Sequence, residues 1–277
     1  MSAPTNPPDL DTALKTLWGA SHLPFGAAVD TPYASTNFSH LSRQLEQLVA
    51  VRACGLVSGP HGVGKTRLLQ QLLAALPEQR FKTLFLAHSS VTGTDLLRLL
   101  CRELGRTPRM RRGDNLIEIR KAWQQLDRIW PVLVLDEAQN FSATTLEEVR
   151  LLTCERPDTQ PPFSLVLVGD EQLLPRLQMG INAPLLARLS FCLQLQPWSR
   201  EELQGYLQAR LAQAGIHATP FEEPALHLLL QAAQGLPRHL NHLAQRALEQ
   251  AAHQNSRAIT SAHVQSALHL MPWLAQL

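Results

Sequence analysis

The feature that most limits the fold of this chain is a short apolar strand that runs into a glycine-rich loop. Residues 56–66 read LVSGPHGVGKT, which contains a complete G-x-x-x-x-G-K-T phosphate loop. The run from Cys54 to Ser58 is typical of a buried strand, and residues 67–76 carry five leucines at helical spacing. A glycine-rich turn without a ligand is the alternative, but it would not need these flanking elements. The segment therefore predicts a nucleotide site on an α/β sheet.

Each part of this loop has a task in phosphate binding. Its glycines let the backbone turn tightly and aim N–H groups at the phosphates, and the following helix adds its positive dipole. Lys65 is expected to reach the β- and γ-phosphates, and the Thr66 hydroxyl is expected to hold Mg²⁺. The candidate nucleotide-binding residues are Gly59, Pro60, His61, Gly62, Val63, Gly64, Lys65, Thr66 and Arg67.

A second apolar strand, Pro131 to Leu135, ends in two acids. A strand that is apolar on both faces belongs to a parallel sheet, and such sheets bind ligands at their carboxyl ends. Asp136 is expected to orient Mg²⁺ through its water shell, and Glu137 is expected to polarise the attacking water. Adjacent acids could also form a solvated turn. Together with the phosphate loop, they predict the catalytic half of a nucleotide site.

Strand and helix patterns divide the chain into an α/β part and a helical part. Apolar runs alternate with helical patterns up to residue 195, which is typical of a parallel sheet. From the capping box Ser199-x-x-Glu202 onward only helices are predicted, at residues 200–214 and about 222–234, 238–253 and 260–270. The predicted domains are a tail with a short helix at 1–38, an ATPase core at 39–197 and a helical lid at 198–277. The short helix at about residues 9–20 either packs on the protein's own core or docks on a partner.

Composition excludes some classes of protein. The formal net charge is only +2, so the chain has no general polycationic field. No apolar run reaches the roughly 18 residues of a membrane span, and the polar, proline-rich start, Met1 to Pro8, is unlike a signal peptide. The cysteines form no C-x-x-C pair, and we interpret Cys54 and Cys192 as reduced core residues. We therefore expect a cytoplasmic protein without a membrane partner.

Several motifs resemble one branch of the AAA+ ATPases, the branch of ExeA/GspA-like ATPases and of the TnsC and TniB regulators of transposition. These motifs are GPHGVGKT at 59–66, LVLDEAQN at 133–140, VRLLT at 149–153, LVLVGD at 165–170 and GLPR at 235–238. The resemblance extends from about residue 22 to the C-terminus. It implies a five-stranded parallel sheet of order 5-1-4-3-2, a helical lid, and ATP with Mg²⁺ held between neighbouring subunits.

The resemblance also assigns roles to charged residues outside the phosphate loop. Arg238 matches the sensor-2 arginine over the γ-phosphate. Arg188 is expected to act as an arginine finger toward the next subunit, with Arg176 as a second candidate and a surface ion pair as the alternative for Arg188. Asp170 stands at the sensor-1 position, where relatives carry Gly-Gln-Pro-Glu or Gly-Thr-Pro-Glu after the fourth strand. An acid there implies slow or partner-stimulated hydrolysis.

Six arginines follow the second predicted strand, with only Glu103 and Asp114 to offset them. In assemblies of such ATPases, elements after the second strand face the central channel. Guanidinium groups there are expected to follow a duplex DNA backbone without reading its sequence. The alternative is a solvated helix face and an exposed loop. The candidates are Arg98, Arg102, Arg106, Arg109, Arg111 and Arg112.

Two functions are compatible with this resemblance. The secretion ATPases of the branch continue into a transmembrane helix and a peptidoglycan-binding domain, whereas this sequence ends after the lid. The expected function is therefore a regulator of transposition that assembles with ATP on DNA, as a ring or a helical filament. Its partners would be further copies of itself, a DDE transposase and a target-selection protein. The alternative is an ATPase that serves a secretion or envelope assembly machine.

Overall fold

A computed structural model describes residues 10–26, 33, 35–87, 91–154 and 161–275. The proline-rich start predicted at residues 1–8 lies outside these ranges. The chain forms two compact units, which we call the sheet unit, residues 36–60 and 65–196, and the helical unit, the described parts of 1–35 with 61–64 and 197–277. The short N-terminal helix is thus grouped with the C-terminal helices.

The sheet unit is built on five parallel strands. They are β1 (Cys54–Ser58), β2 (Phe81–Leu86), β3 (Trp130–Leu135), β4 (Ser164–Gly169) and β5 (Phe191–Gln194). Their order is β2-β3-β4-β1-β5, which is the predicted order read from the other edge, so the predicted fold is confirmed. In the register, Leu135 of β3 pairs with Leu86 and Leu167, and Ser58 of β1 pairs with Gly169. The carboxyl ends of the central strands therefore lie level at one edge of the sheet.

Helices connect these strands. They are α2 (Thr36–Ala50), α3 (Lys65–Ala75), α4 (Gly93–Glu103), α5 (Arg112–Gln125), α6 (Ala143–Thr153), α7 (Leu173–Gln178) and α8 (Ala183–Leu186). All residues of β1 and β4 are buried, and so are those of β3 after Trp130. The sequence pattern predicts the edge strand β2 at Thr83 to Ala87, whereas the strand begins two residues earlier, because Lys82 interrupts its apolar pattern on an exposed position.

The cysteine interpretation holds for Cys54 and is wrong for Cys192. Cys54 is buried in β1, and burial raises the pKa of its thiol to about 11. Cys192 lies in the edge strand β5, where alternate residues face outward, and it is exposed. Its apolar neighbours Leu193 and Leu195 are the buried residues of this segment. All four cysteines are free.

The helical unit contains α1 (Leu10–Trp18), α9 (Arg200–Gln213), α10 (Glu223–Ala233), α11 (Pro237–His253), α12 (Ser261–His269) and α13 (Pro272–Ala275). The predicted capping box is present at the start of α9, where the Glu202 N–H donates to Ser199 Oγ over 3.2 Å. Leu14 of α1 is buried in the core of this unit, and Trp18 Nε1 donates to the Arg257 carbonyl over 2.7 Å. These contacts favour the core-packing interpretation of α1 over docking on a partner. Within the described ranges, no helix is both long and apolar enough to cross a membrane.

Candidate nucleotide site

The phosphate loop connects the end of β1 with the start of α3. Gly62 has a φ of 85° and Gly64 a φ of 116°, values that favour glycine, so the loop can turn its N–H groups to one side. The N–H groups of Gly62, Val63 and Gly64 donate to none of the residues that the structure describes. Unpaired N–H groups at a helix N-terminus are suited to phosphate oxygens. The loop therefore fits the phosphate chain of a nucleotide.

Lys65 is buried at the base of this loop, and 7% of its surface is exposed. Its ammonium donates to the carbonyl of Gly59 over 2.7 Å and to that of Pro60 over 3.1 Å. These neutral acceptors hold the charge in place, and charged phosphate oxygens are stronger acceptors for it. Thr66 follows in the first turn of α3 and is exposed, as a ligand of Mg²⁺ must be.

Asp136 and Glu137 follow β3 directly. Asp136 is buried and accepts the Glu137 N–H at Oδ1 over 2.9 Å. Burial raises the pKa of Asp136 above its usual range; the Glu137 N–H and the Lys65 charge oppose this shift, and the Glu137 charge adds to it. Glu137 takes a left-handed backbone conformation, φ 54° and ψ 35°, which is uncommon outside glycine and turns the chain into the short helix Ala138–Asn140.

Gln139 is a site residue that the sequence reasoning did not single out. Its Nε2 donates to Glu137 Oε2 over 2.7 Å, and its Oε1 accepts the Asp170 N–H over 3.2 Å. Only 8% of its surface is exposed. The one signal in the sequence is that Gln139 lies within the LVLDEAQN motif, but the motif does not show which groups its side chain contacts.

Asp170 and Arg176 are engaged within the sheet unit. Asp170 Oδ1 accepts the Gln172 N–H over 2.9 Å, so this carboxylate holds the turn after β4. The Arg176 guanidinium donates to the carbonyls of Gln139 and Phe141. An arginine that binds carbonyls of its own subunit is poorly placed to reach a neighbour.

Arg188 lies two residues after α8 and is exposed. Its guanidinium makes no hydrogen bond or ion pair with any part of the chain that the structure describes. Arg188 is therefore available to a neighbouring subunit, and the choice between Arg188 and Arg176 as the arginine finger stays a prediction.

Arg238 lies in the helical unit at the start of α11, directly after Pro237. Its N–H donates to the Gly62 carbonyl over 3.3 Å. A Cβ on Gly62 would lie 2.8 Å from Arg238 Cβ, so only glycine allows this approach. The G-x-P-R box thus begins beside Gly62, a residue of the same unit, and the sensor-2 role of Arg238 stays a prediction.

Half of the predicted DNA-binding arginines are tied to other groups of the chain. Arg112 binds Glu148 in a bidentate pair of 2.6 and 3.0 Å. Arg98 pairs with Asp95 over 3.1 Å and also donates to the carbonyl of Met110 over 3.3 Å. These two arginines therefore support the fold of the α4–α5 region.

The rest of this group divides in the same way. Arg106 donates to the side chain of Gln125. The loop between α4 and α5 is held by the buried Asn115, which accepts the Arg109 N–H over 2.7 Å. The arginines of this segment that are exposed, with guanidinium groups that have no partner among the described residues, are Arg102, Arg109 and Arg111.

The substitution Asp136→Asn tests whether Asp136 serves ligand binding at the expense of stability. Because the folded-state pKa of Asp136 lies above its ordinary value of 3.8, ionising the carboxyl destabilises the free protein as the pH rises through this range. At neutral pH the free variant should melt a few degrees above the wild type, and this difference should shrink as the pH falls through the folded-state pKa and vanish below the ordinary value of 3.8. Thermal unfolding followed by circular dichroism measures it.

With ATP and Mg²⁺ the order of the two melting temperatures should reverse, since the variant loses binding free energy that the wild type gains. Asp127→Asn, at an exposed residue of the same type and in a left-handed conformation that asparagine tolerates, is the matched control. A variant no more stable than the wild type at any pH would contradict the burial argument.

Comparisons with known proteins agree with this geometry. Residues 49–177 match a family model described as an AAA domain. General secretion pathway protein A of Aeromonas hydrophila is 29% identical over 202 residues, which cover 70% of this chain and 36% of that protein. The chain thus spans about a third of the length of this curated relative.

Solved structures show the same fold at low identity. Cdc6p of Pyrobaculum aerophilum is 19% identical, with a TM-score of 0.71 over 89% of this chain and 70% of that one. Drosophila ORC bound to DNA is 20% identical, with a TM-score of 0.65 over 98% and 70%. These matches show the P-loop AAA+ fold. Together with the phosphate loop and the two acids after β3, they support ATPase activity.

Proposed function

We propose that this ATPase drives a secretion or envelope assembly machine, in the manner of a GspA-like ATPase. The observation that carries the proposal is the match to General secretion pathway protein A over 70% of the chain. This reverses the order expected from the sequence, where the transposition regulator came first. That order relied on where the sequence ends, and the end of a sequence is weaker support than a match over 202 residues.

The proposed chemistry is hydrolysis of ATP with Mg²⁺. Thr66 and Asp136 would hold the ion, which neutralises phosphate charge when bound, and Lys65 would bind the phosphates. Glu137 is partly exposed and would accept a proton from the attacking water. Its Oε1 has no hydrogen bond to any described residue, so one carboxylate oxygen remains for that water.

Assembly of several copies would complete the site. Arg176 is engaged by carbonyls of its own subunit, whereas Arg188 is exposed and available to a neighbour. A guanidinium that arrives from another copy would make hydrolysis depend on assembly. Slow turnover of the isolated protein, raised by a client machine, fits this arrangement. A ring and a helical filament both satisfy it.

The regulator of transposition stays as a second candidate. What supports it is the group of exposed arginines, Arg102, Arg109 and Arg111, on and after α4. Three guanidinium groups per subunit, repeated in an assembly, would suit a phosphate backbone. No comparison supports a transposase or a target-selection protein as a partner, and the fold shared with DNA-bound ORC is no guide to ligands at 20% identity.

A chromosomal Lys65→Ala allele tests the proposed function. Without the ammonium the phosphates lose their main cationic contact, so the machine should stop while the protein still accumulates. We expect a secreted reporter enzyme to disappear from the culture medium and to be retained in the cell. Lys121→Ala, at an exposed lysine of α5, is the matched control and should secrete normally.

The contrasting result would favour the second candidate. It consists of normal secretion by the Lys65→Ala strain together with duplex binding by the purified wild type. That binding should require ATP, ignore sequence and weaken steeply with salt, because each phosphate contact releases a counterion.

A further inference from the structure

The side chain of Gln139 connects the catalytic carboxylate with the neighbouring strand. One end of its amide donates to Glu137 Oε2 over 2.7 Å, and the other end accepts the Asp170 N–H over 3.2 Å. Because both ends are used, the amide has a single satisfied orientation. Glu137 follows β3 and Asp170 follows β4, so one buried side chain joins the ends of two central strands.

This connection is packed closely. A Cβ added to Gly169 would lie 2.6 Å from Gln139 Oε1, so the glycine at the end of β4 leaves the space through which the amide passes. The backbone of Gln139 is fixed as well, because the Arg176 guanidinium donates to its carbonyl and to that of Phe141. With 8% of its surface exposed, Gln139 has little freedom to turn away.

The hydrogen bond to Oε2 leaves Oε1 of Glu137 for another donor. A carboxylate on a partly exposed side chain would otherwise sample several rotamers, and only some direct an oxygen at the attacking water. The amide orients the carboxylate without adding a positive charge to the site.

We propose that Gln139 is a positioning residue for ATP hydrolysis, which holds Glu137 in its reactive rotamer and links that rotamer to the Asp170 turn. In the step it supports, the water oxygen bonds to the γ-phosphorus, the bond to the bridging oxygen breaks with its electron pair on ADP, and a water proton passes to Glu137. The proposal concerns the ATPase itself and does not depend on which machine the protein serves.

The test is a double-mutant cycle on single-turnover hydrolysis with enzyme in excess of ATP. Gln139→Ala should lower the rate by about 10- to 100-fold, because the base is misplaced, while the Kd for ATP and the KM change by less than about threefold. In a Glu137→Gln background the same substitution should have almost no further effect, since Gln139 acts only through that carboxylate. Gln178→Ala, at an exposed glutamine ending α7, is the matched control.

Three results would overturn the proposal. They are an unchanged rate in Gln139→Ala, a faster rate, or an equal loss in both backgrounds. If Gln139→Ala does not fold, Gln139→Asn keeps the amide but is one methylene short of Glu137, and it should show the same loss.

A spectroscopic readout makes the test independent of turnover. The side-chain NH₂ resonances of Gln139, assigned by their absence in Gln139→Asn, should shift when Glu137 becomes Gln and stay in place in the control Glu171→Gln. Unshifted resonances would show that the amide does not bind Glu137 in solution. Failure of the secretion proposal would leave both readouts unchanged.

Discussion

Glu137→Gln should bind ATP as tightly as the wild type and hydrolyse it at least about 100-fold more slowly. The amide keeps the size of the side chain, but it cannot accept a proton from the attacking water. Binding should survive, because the loop N–H groups and Lys65 belong to other parts of the site. The assembled, ATP-bound state should therefore accumulate, and this gain in assembly distinguishes a lost base from a damaged binding site.

Two measurements decide this prediction. Binding of a fluorescent ATP analogue gives the Kd, and phosphate release gives the rate. Size-exclusion chromatography with ATP should show a larger assembled fraction for Glu137→Gln than for the wild type. Glu171→Gln, an exposed acid on the turn after β4, controls for the loss of one charge. Unchanged turnover in Glu137→Gln would remove this residue as the base.

The sequence allowed the sheet to be predicted because local patterns determine it. Three of the strands are apolar on both faces, and the phosphate loop and the paired acids are read from consecutive residues. The strand order came from the resemblance, since no local pattern records which strands become neighbours. The prediction failed at an edge of the sheet. The apolar run around Cys192 resembles a buried strand, but β5 pairs with β1 on one side only, and Cys192 faces outward.

The partners of long polar side chains could not be predicted in the same way. Arg112 and Glu148 are 36 residues apart in the sequence, and Arg176 and Gln139 are 37 apart. Such pairs exist only after the elements have packed, so the arginines of α4 and α5 looked alike until the structure separated engaged from exposed ones. The role of Gln139 could not be predicted for the same reason, because its second partner, Asp170, follows a different strand.

Arg188→Ala should lose hydrolysis by about 100-fold or more as a pure protein and recover part of it when mixed with Lys65→Ala. An Arg188→Ala subunit can bind ATP but offers no guanidinium to its neighbour, whereas a Lys65→Ala subunit offers Arg188 but has an impaired site. If Arg188 acts in trans, a complete site forms wherever the nucleotide site of an Arg188→Ala subunit faces the Arg188 side chain of a Lys65→Ala subunit. At an equal ratio, random mixing would produce such a contact in about a quarter of neighbouring pairs.

Arg176→Ala is the informative comparison for this experiment. The Arg176 guanidinium supports the carbonyls of Gln139 and Phe141 in its own subunit, so its removal damages the same subunit that holds the nucleotide. Mixing Arg176→Ala with Lys65→Ala should therefore restore no hydrolysis, although the mixing is the same as for Arg188→Ala. Phosphate release, measured at a series of mixing ratios, would distinguish the roles of the two arginines. If both arginine variants recover activity, Arg176 also reaches across the interface. If neither recovers and assembly is intact, Arg188 works within its own subunit. Arg128→Ala, at an exposed arginine of the sheet unit, should be fully active alone and unaffected by mixing apart from dilution.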